Sequence, residues 1–206
     1  MKKEKTFNTK DLVLCSLFTV LIIVGAYIRI PLPAVPFTLQ SMFAALAGML
    51  LGKKLGAAAV ALYLAAGLAG LPVFAYGGGL TYVFQPTFGY VIGYLPAAFI
   101  TGYVMEKSRL AVTAKAYLAS YINVVIVYLF GLPYFYMIAN YYLHEPFSLR
   151  DLIILALLPT IPGKIITCFI CVELYKRLSC VVGVNQAKFS VKRKNYLPED
   201  GVNECD

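Results

Sequence analysis

"FTLQSMFAALAGMLLGKKLGAAAVALYLAAGLAGLPVF", Phe37 to Phe74, holds two apolar runs separated by Lys53-Lys54, and its reading decides the fold class. The second run, 55–74, is long enough to cross a hydrocarbon core of ~30 Å as a helix rising ~1.5 Å per residue. The first, 37–52, covers only ~24 Å on the same rise, so it needs a neighbour or a thinned bilayer. Four more apolar segments lie outside this pair, at 11–30, 87–105, 116–138 and 149–178. With 60% hydrophobic residues, 14% charged residues and a mean hydropathy of +0.75, the 206-residue chain reads as an integral membrane protein, not a water-soluble globule. The expectation is an all-α, polytopic membrane protein with six transmembrane helices in a compact bundle. Residues 1–10 are read as a cytoplasmic N-terminus and 11–178 as the membrane domain. The polar, aperiodic tail 179–206 is expected to be cytoplasmic and disordered.

Charge orients the segments. Of 18 Lys and Arg, four precede the first segment, two are Lys53-Lys54, three are Lys107, Arg109 and Lys115, and six follow from Lys176 onward. Arg29 and Arg150 alone fall on the opposite side, and Lys164 lies inside an apolar run. The positive-inside rule then places both termini in the cytoplasm and the loops 31–36, 75–86 and 139–148 outside, in a cell membrane. The net charge of +8 does not imply nucleic acid, because no basic stripe with interleaved aromatics exists. The basic start and apolar run of the first 30 residues resemble a signal peptide, but "GAYIRIPLP" offers no small-x-small cleavage site, so the run is read as a retained helix. Five cysteines, Cys15, Cys168, Cys171, Cys180 and Cys205, suggest no disulfide framework, and Cys168-x-x-Cys171 reads as packing in a membrane helix.

Two features break the apolar monotony. "FAYGGGLTYVFQPTFGY", Phe74–Tyr90, sets three glycines and several aromatics between membrane segments, which suggests a loop shaped around something. In "LLPTIPGKIIT", Pro159 and Pro162-Gly163 divide the last segment into a short outer helix near 149–158 and a final helix from about Pro162 to Leu178. Lys164 then lies in a first turn, where the helix dipole disfavours a cation, and within an apolar span, where a charge costs ~2.5–3.5 kcal/mol. Two readings follow: a salt bridge to Glu145 or Asp151 with snorkelling to the interface, or a bound carboxylate held by Lys164 and free helix amides.

Polar groups near the outer side, Thr38, Gln40, Thr81, Tyr82, Gln85, Thr87, Tyr90 and Asn123, complete the outline of an apolar cavity with a few hydrogen-bonding groups. "PGKIIT" is not a phosphate loop, since Leu158 and Ile165 stand where Gly and a hydroxyl are required. The single histidine, His144, belongs to an outer loop without partners for catalysis or metal binding. No enzyme, metal or cofactor is expected.

"VPFTLQSMFAALAGMLLGKKLGAAAVALYLAAGLAGLPVF", the glycine loop and "PTFGYVIGY" together resemble the BioY family, the biotin-binding S components of energy-coupling-factor (ECF) transporters, over about Lys10 to Arg177. That resemblance implies a six-helix protein that captures biotin from outside and works with a transmembrane T component and a pair of ABC ATPases. It implies a biotin pocket capped by Gly77, Gly78 and Gly79 and lined by Tyr82, Thr87 and Tyr90. Gln40, Asn123, Lys164 and Thr167 complete the candidate ligand residues. The chain departs from the family pattern Gly-Asp-x-x-Lys at the last helix, where it has Gly163, Lys164, Ile165, Ile166 and Thr167. The glycine loop is also one residue shorter than in many relatives, with Tyr76 in place of a glycine. Where S components carry Ala-x-x-x-Ala against the T component, this chain has Cys15, Ser16, Thr19 and Val20, so the first three are the candidate partner contacts. Two rival readings stay open: an S component or permease for another small carboxylate, and a structural membrane subunit whose pocket is filled by its own tyrosines.

Overall fold

A computed structural model describes residues 9–32, 35–108, 110–143, 148, 150 and 152–182. His144, Glu145, Asp151 and the tail beyond 182 lie outside the described residues. The first helix, α1, spans Thr9–Tyr27 and ends in a short antiparallel hairpin of β1 (Arg29–Ile30) and β2 (Phe37–Thr38), with Arg29 opposite Thr38. Next come α2 (Gln40–Leu68), α3 (Phe88–Lys107) and α4 (Val112–Met137), the last continuing as a wider π turn over Ile138–Tyr142.

The Lys53-Lys54 break appears inside α2. Gly52 has φ 81° and ψ 177°, a conformation open in practice only to glycine. A β-carbon built on Gly56 would lie 2.7 Å from Cα of Gly48. A straight helix would hold those residues ~12 Å apart, so the chain doubles back at Gly52 into two helical arms. The turn is tied to α3 by Glu106, which accepts from the Lys53 N–H at 3.2 Å and pairs with the Lys53 ammonium at 2.9 Å.

Among the described residues, five continuous helices are long and apolar enough to cross a membrane, against the six segments of the sequence, and the difference is this hairpin. Every residue of the first arm from Gln40 to Leu51 except Phe43 is buried. The short segment thus finds protein where a longer one would meet lipid. By buried share of their apolar windows, α2 (56%) and α3 (61%) form the centre, while α1 (28%), α4 (33%) and the last helix (28%) form the wall.

The last segment stays helical but changes winding, from a π turn at Leu152–Leu157 through a 3-10 turn at Leu158–Thr160 to an α-helix, α5, at Ile161–Val182. Pro162 occupies its first turn, where a missing N–H is tolerated. The expected division therefore coincides with a change of winding and not with a break in the chain. Helical turns precede α5, so its first turn is not a bare helix start.

Candidate functional site

A cleft of about 520 Å³ of empty space, its open mouth included, lies among the β1–β2 hairpin, the glycine loop, α3, α4 and the start of α5. The hairpin supplies Val35, Pro36, Phe37 and Thr38, and the loop supplies Ala75 and Tyr82. Thr87, Tyr90, Val91 and Tyr94 come from α3 and the residue before it, Val127 and Tyr128 from α4, and Thr160 and Lys164 from the last segment. Aromatic rings and aliphatic side chains form most of the wall, with a few polar tips.

Gln40 anchors the floor. Its amide donates to the Tyr63 hydroxyl at 2.6 Å, and its carbonyl oxygen accepts from Thr38 at 3.3 Å and Tyr94 at 3.4 Å. Four side chains from β2, both arms of α2 and α3 are thereby tied into one buried network, which low dielectric strengthens only because its members have partners. Tyr128 and Thr160 share a hydrogen bond at 2.5 Å across the opposite wall. The Tyr90 hydroxyl is different. It is buried and has no partner among the described residues, while its ring lies edge-on to Tyr128 at 5.9 Å. A buried hydroxyl without a partner carries a desolvation cost that a ligand atom would relieve.

Among the described residues lining the cleft, Lys164 carries the only formal charge. Its ammonium donates to Ser41 Oγ and sits 5.3 Å from the centre of the Phe37 ring. No ion pair to Lys164 forms among the described residues. Gly163 admits the Phe37 ring beside it, since a β-carbon there would come within 2.7 Å of that ring.

The glycine loop is braced from below. Phe74 and Gly77 exchange backbone hydrogen bonds at 2.8 and 3.2 Å, and the Gly79 N–H donates to the Gly67 carbonyl at 2.7 Å. A β-carbon on Gly78 would lie 1.9 Å from the Leu71 carbonyl oxygen, so only glycine permits that approach. Phe74 packs against Tyr82 at 4.6 Å and edge-on to Tyr63 at 5.3 Å. Arg29 donates to the Ala75 carbonyl and covers the Tyr76 ring, and Tyr27 donates to the Pro72 carbonyl, so the end of α1 and the start of β1 hold the loop in place.

Among the residues singled out from sequence, Gln40, Tyr82, Thr87, Tyr90 and Lys164 converge on the cleft. Gly77, Gly78 and Gly79 shape the loop that carries Ala75 and Tyr82 without lining the cleft themselves. Asn123 and Thr167 line a second, smaller cavity with Ser41 and Ser120. Thr167 donates back to the Gly163 and Lys164 carbonyls at 3.0 Å, and Asn123 donates to Thr101 at 3.3 Å.

Of the candidate partner contacts on α1, Cys15 is buried and Thr19 reaches the Ala59 carbonyl at 3.0 Å, so both turn inward. Ser16 stays on the exposed face with Val20. Tyr94, Tyr128, Thr160 and Phe37 join the cleft without having been singled out as ligand residues. Tyr94 stands one helical turn from Tyr90, which is a readable signal; Tyr128 and Thr160 had none.

The family model for the BioY family matches residues 1–183. The chain is similar to the probable biotin transporter BioY of Lysinibacillus sphaericus, 45% identical over 140 residues that cover 68% of this chain and 71% of that protein. It is similar to the biotin transporter BioY of Thermotoga maritima at 42% over 138 residues, 66% of this chain and 78% of the other. Its backbone matches the crystal structure of the S component for biotin from an ECF-type ABC transporter with a TM-score of 0.62 and 31% identity, over 82% of this chain and 90% of that one. A family-model match over residues 1–183, with relatives at 45% and 42% identity, places this multi-pass membrane protein in the BioY family.

Proposed function

We propose that this chain captures biotin at the outer face of the cell membrane, as the substrate-binding S component of an ECF-type importer. The observation that carries the reading is the pairing of one cation, Lys164, with aromatic walls inside a single cleft. Biotin offers a carboxylate tail for the ammonium, an apolar thioether ring for the tyrosines, and a ureido group for hydroxyls such as that of Tyr90. Binding is the role that the cleft chemistry suits. The described residues include no cluster of His, Cys, Asp or Glu fit to hold a metal ion.

Energy must come from elsewhere, because the sequence holds no phosphate loop. A transmembrane T component and two ABC ATPases are the partners this implies, with both termini on the cytoplasmic side. A second reading, capture of another small carboxylate, is favoured by one feature: Lys164 and Thr167 stand where the Gly-Asp-x-x-Lys pattern implied by the family resemblance has Asp and Lys. The rival of a ligand-free structural subunit predicts no saturable binding of any small carboxylate.

Titration of the purified chain in lipid nanodiscs separates the readings. Saturable one-site biotin binding, displaced by desthiobiotin but not by lipoate, supports biotin capture. Tighter binding of a carboxylate that lacks the ureido ring would move the function to the second reading. Liposomes holding this chain alone should not accumulate biotin against a gradient.

A further inference from the structure

We infer that Ser41 is a positioning residue that aims the Lys164 ammonium into the cleft and so makes the site selective for acids over their neutral amides. The inference rests on the carboxylate-binding reading above. Ser41 is only 4% exposed and opens the first arm of α2, 123 residues away from Lys164 in the chain, yet its hydroxyl oxygen accepts from the Lys164 ammonium. It does not line the main cleft; it belongs to the wall of the second cavity. The contact therefore reaches the ammonium from behind, as seen from the ligand.

A lysine head has three donors on a flexible stem and no preferred direction of its own. Beside an apolar span it tends to snorkel toward the nearest interface. Here two contacts from different elements oppose that escape: the Ser41 hydroxyl and the face of Phe37, whose ring is in turn seated against Gly163. One N–H is taken by Ser41, leaving two for a ligand carboxylate. The acceptor is neutral, which matters. A carboxylate in its place would neutralise the ammonium and remove its attraction for an anion, whereas a hydroxyl holds the head and leaves its charge available.

The test measures affinity for biotin and for its carboxamide on the full chain in nanodiscs, for wild type, Ser41→Ala, Ser41→Thr, Lys164→Met and the double variant Ser41→Ala with Lys164→Met. Ser41→Ala is expected to weaken biotin about tenfold, which corresponds to ~1.4 kcal/mol, and to leave the carboxamide within about twofold. Ser41→Thr keeps the hydroxyl and should restore acid selectivity. In the Lys164→Met background, Ser41→Ala should add no further loss of biotin affinity. Equal weakening of both ligands, no weakening of either, or an undiminished Ser41→Ala effect without Lys164 would each overturn the inference while leaving biotin capture standing. Absence of biotin binding by the wild-type chain would overturn the functional reading and this inference together.

Discussion

Lys164→Met makes the sharpest test of the cleft, because the two readings of that cation predict opposite signs for stability. The substitution keeps most of the stem, retains apolar contact with Phe37, and removes the charge and the bond to Ser41. If the ammonium meets the ligand carboxylate, the lost charge-assisted hydrogen bond is worth ~1.5–3 kcal/mol. At ~1.4 kcal/mol per tenfold, biotin affinity should fall roughly ten- to more than a hundredfold. Without ligand, the variant sheds an insertion cost of ~2.5–3.5 kcal/mol and forfeits ~1.5–3 kcal/mol of hydrogen bonding, so the net runs from a loss of ~0.5 to a gain of ~2 kcal/mol, centred on a stabilisation of ~1 kcal/mol. The assay pairs calorimetric titration with thermal unfolding of the unliganded protein. Weaker binding with an unchanged or higher unfolding temperature supports the ligand role. Unchanged affinity with a lower unfolding temperature would refute it, and would mean that the ammonium serves a structural anion such as Glu145 or Asp151.

Gly131→Ala brings a β-carbon within 2.3 Å of the Tyr90 ring, so that ring must shift from its place in the cleft. The expected cost is ~1–3 kcal/mol, read as weaker biotin binding by calorimetry with the helical circular dichroism retained. Gly52→Ala forces a side chain onto φ 81° and sets a β-carbon 2.9 Å from Glu106 Oε1, so the unfolding temperature should drop by an amount equivalent to ~1–3 kcal/mol, while biotin affinity of the folded protein holds. Leu80 is 72% exposed on the glycine loop, and Leu80→Cys in intact cells should react with an impermeant maleimide; reaction only after lysis would invert the orientation.

Much of the architecture was open to reading along the chain. Hydropathy marked the membrane segments, since a span of apolar residues with few charges has only one stable place to lie. Lys164 declared itself because a charge inside such a span is costly, and the glycine loop because consecutive glycines between ordered segments need a reason. The Lys53-Lys54 pair marked a boundary between two segments, but the close hairpin came from Gly52, whose backbone conformation no neighbour in sequence dictates.

Tertiary structure alone decided which polar groups share a space. Asn123 and Thr167 read as ligand residues beside Gln40 and Tyr90, yet they line the second cavity. Tyr128 and Thr160 look like any other residues of apolar helices and stand in the cleft wall. Ser41 carried no signal until α5 crossed the first arm of α2 and brought Lys164 to it. The physical reason is the solvent. In water, a helix shows its buried face by an apolar stripe, because the other face must be polar. In a bilayer, lipid tails are as apolar as a protein core, so α1, α2 and α4 are apolar all round and their faces are assigned only by the helices they meet.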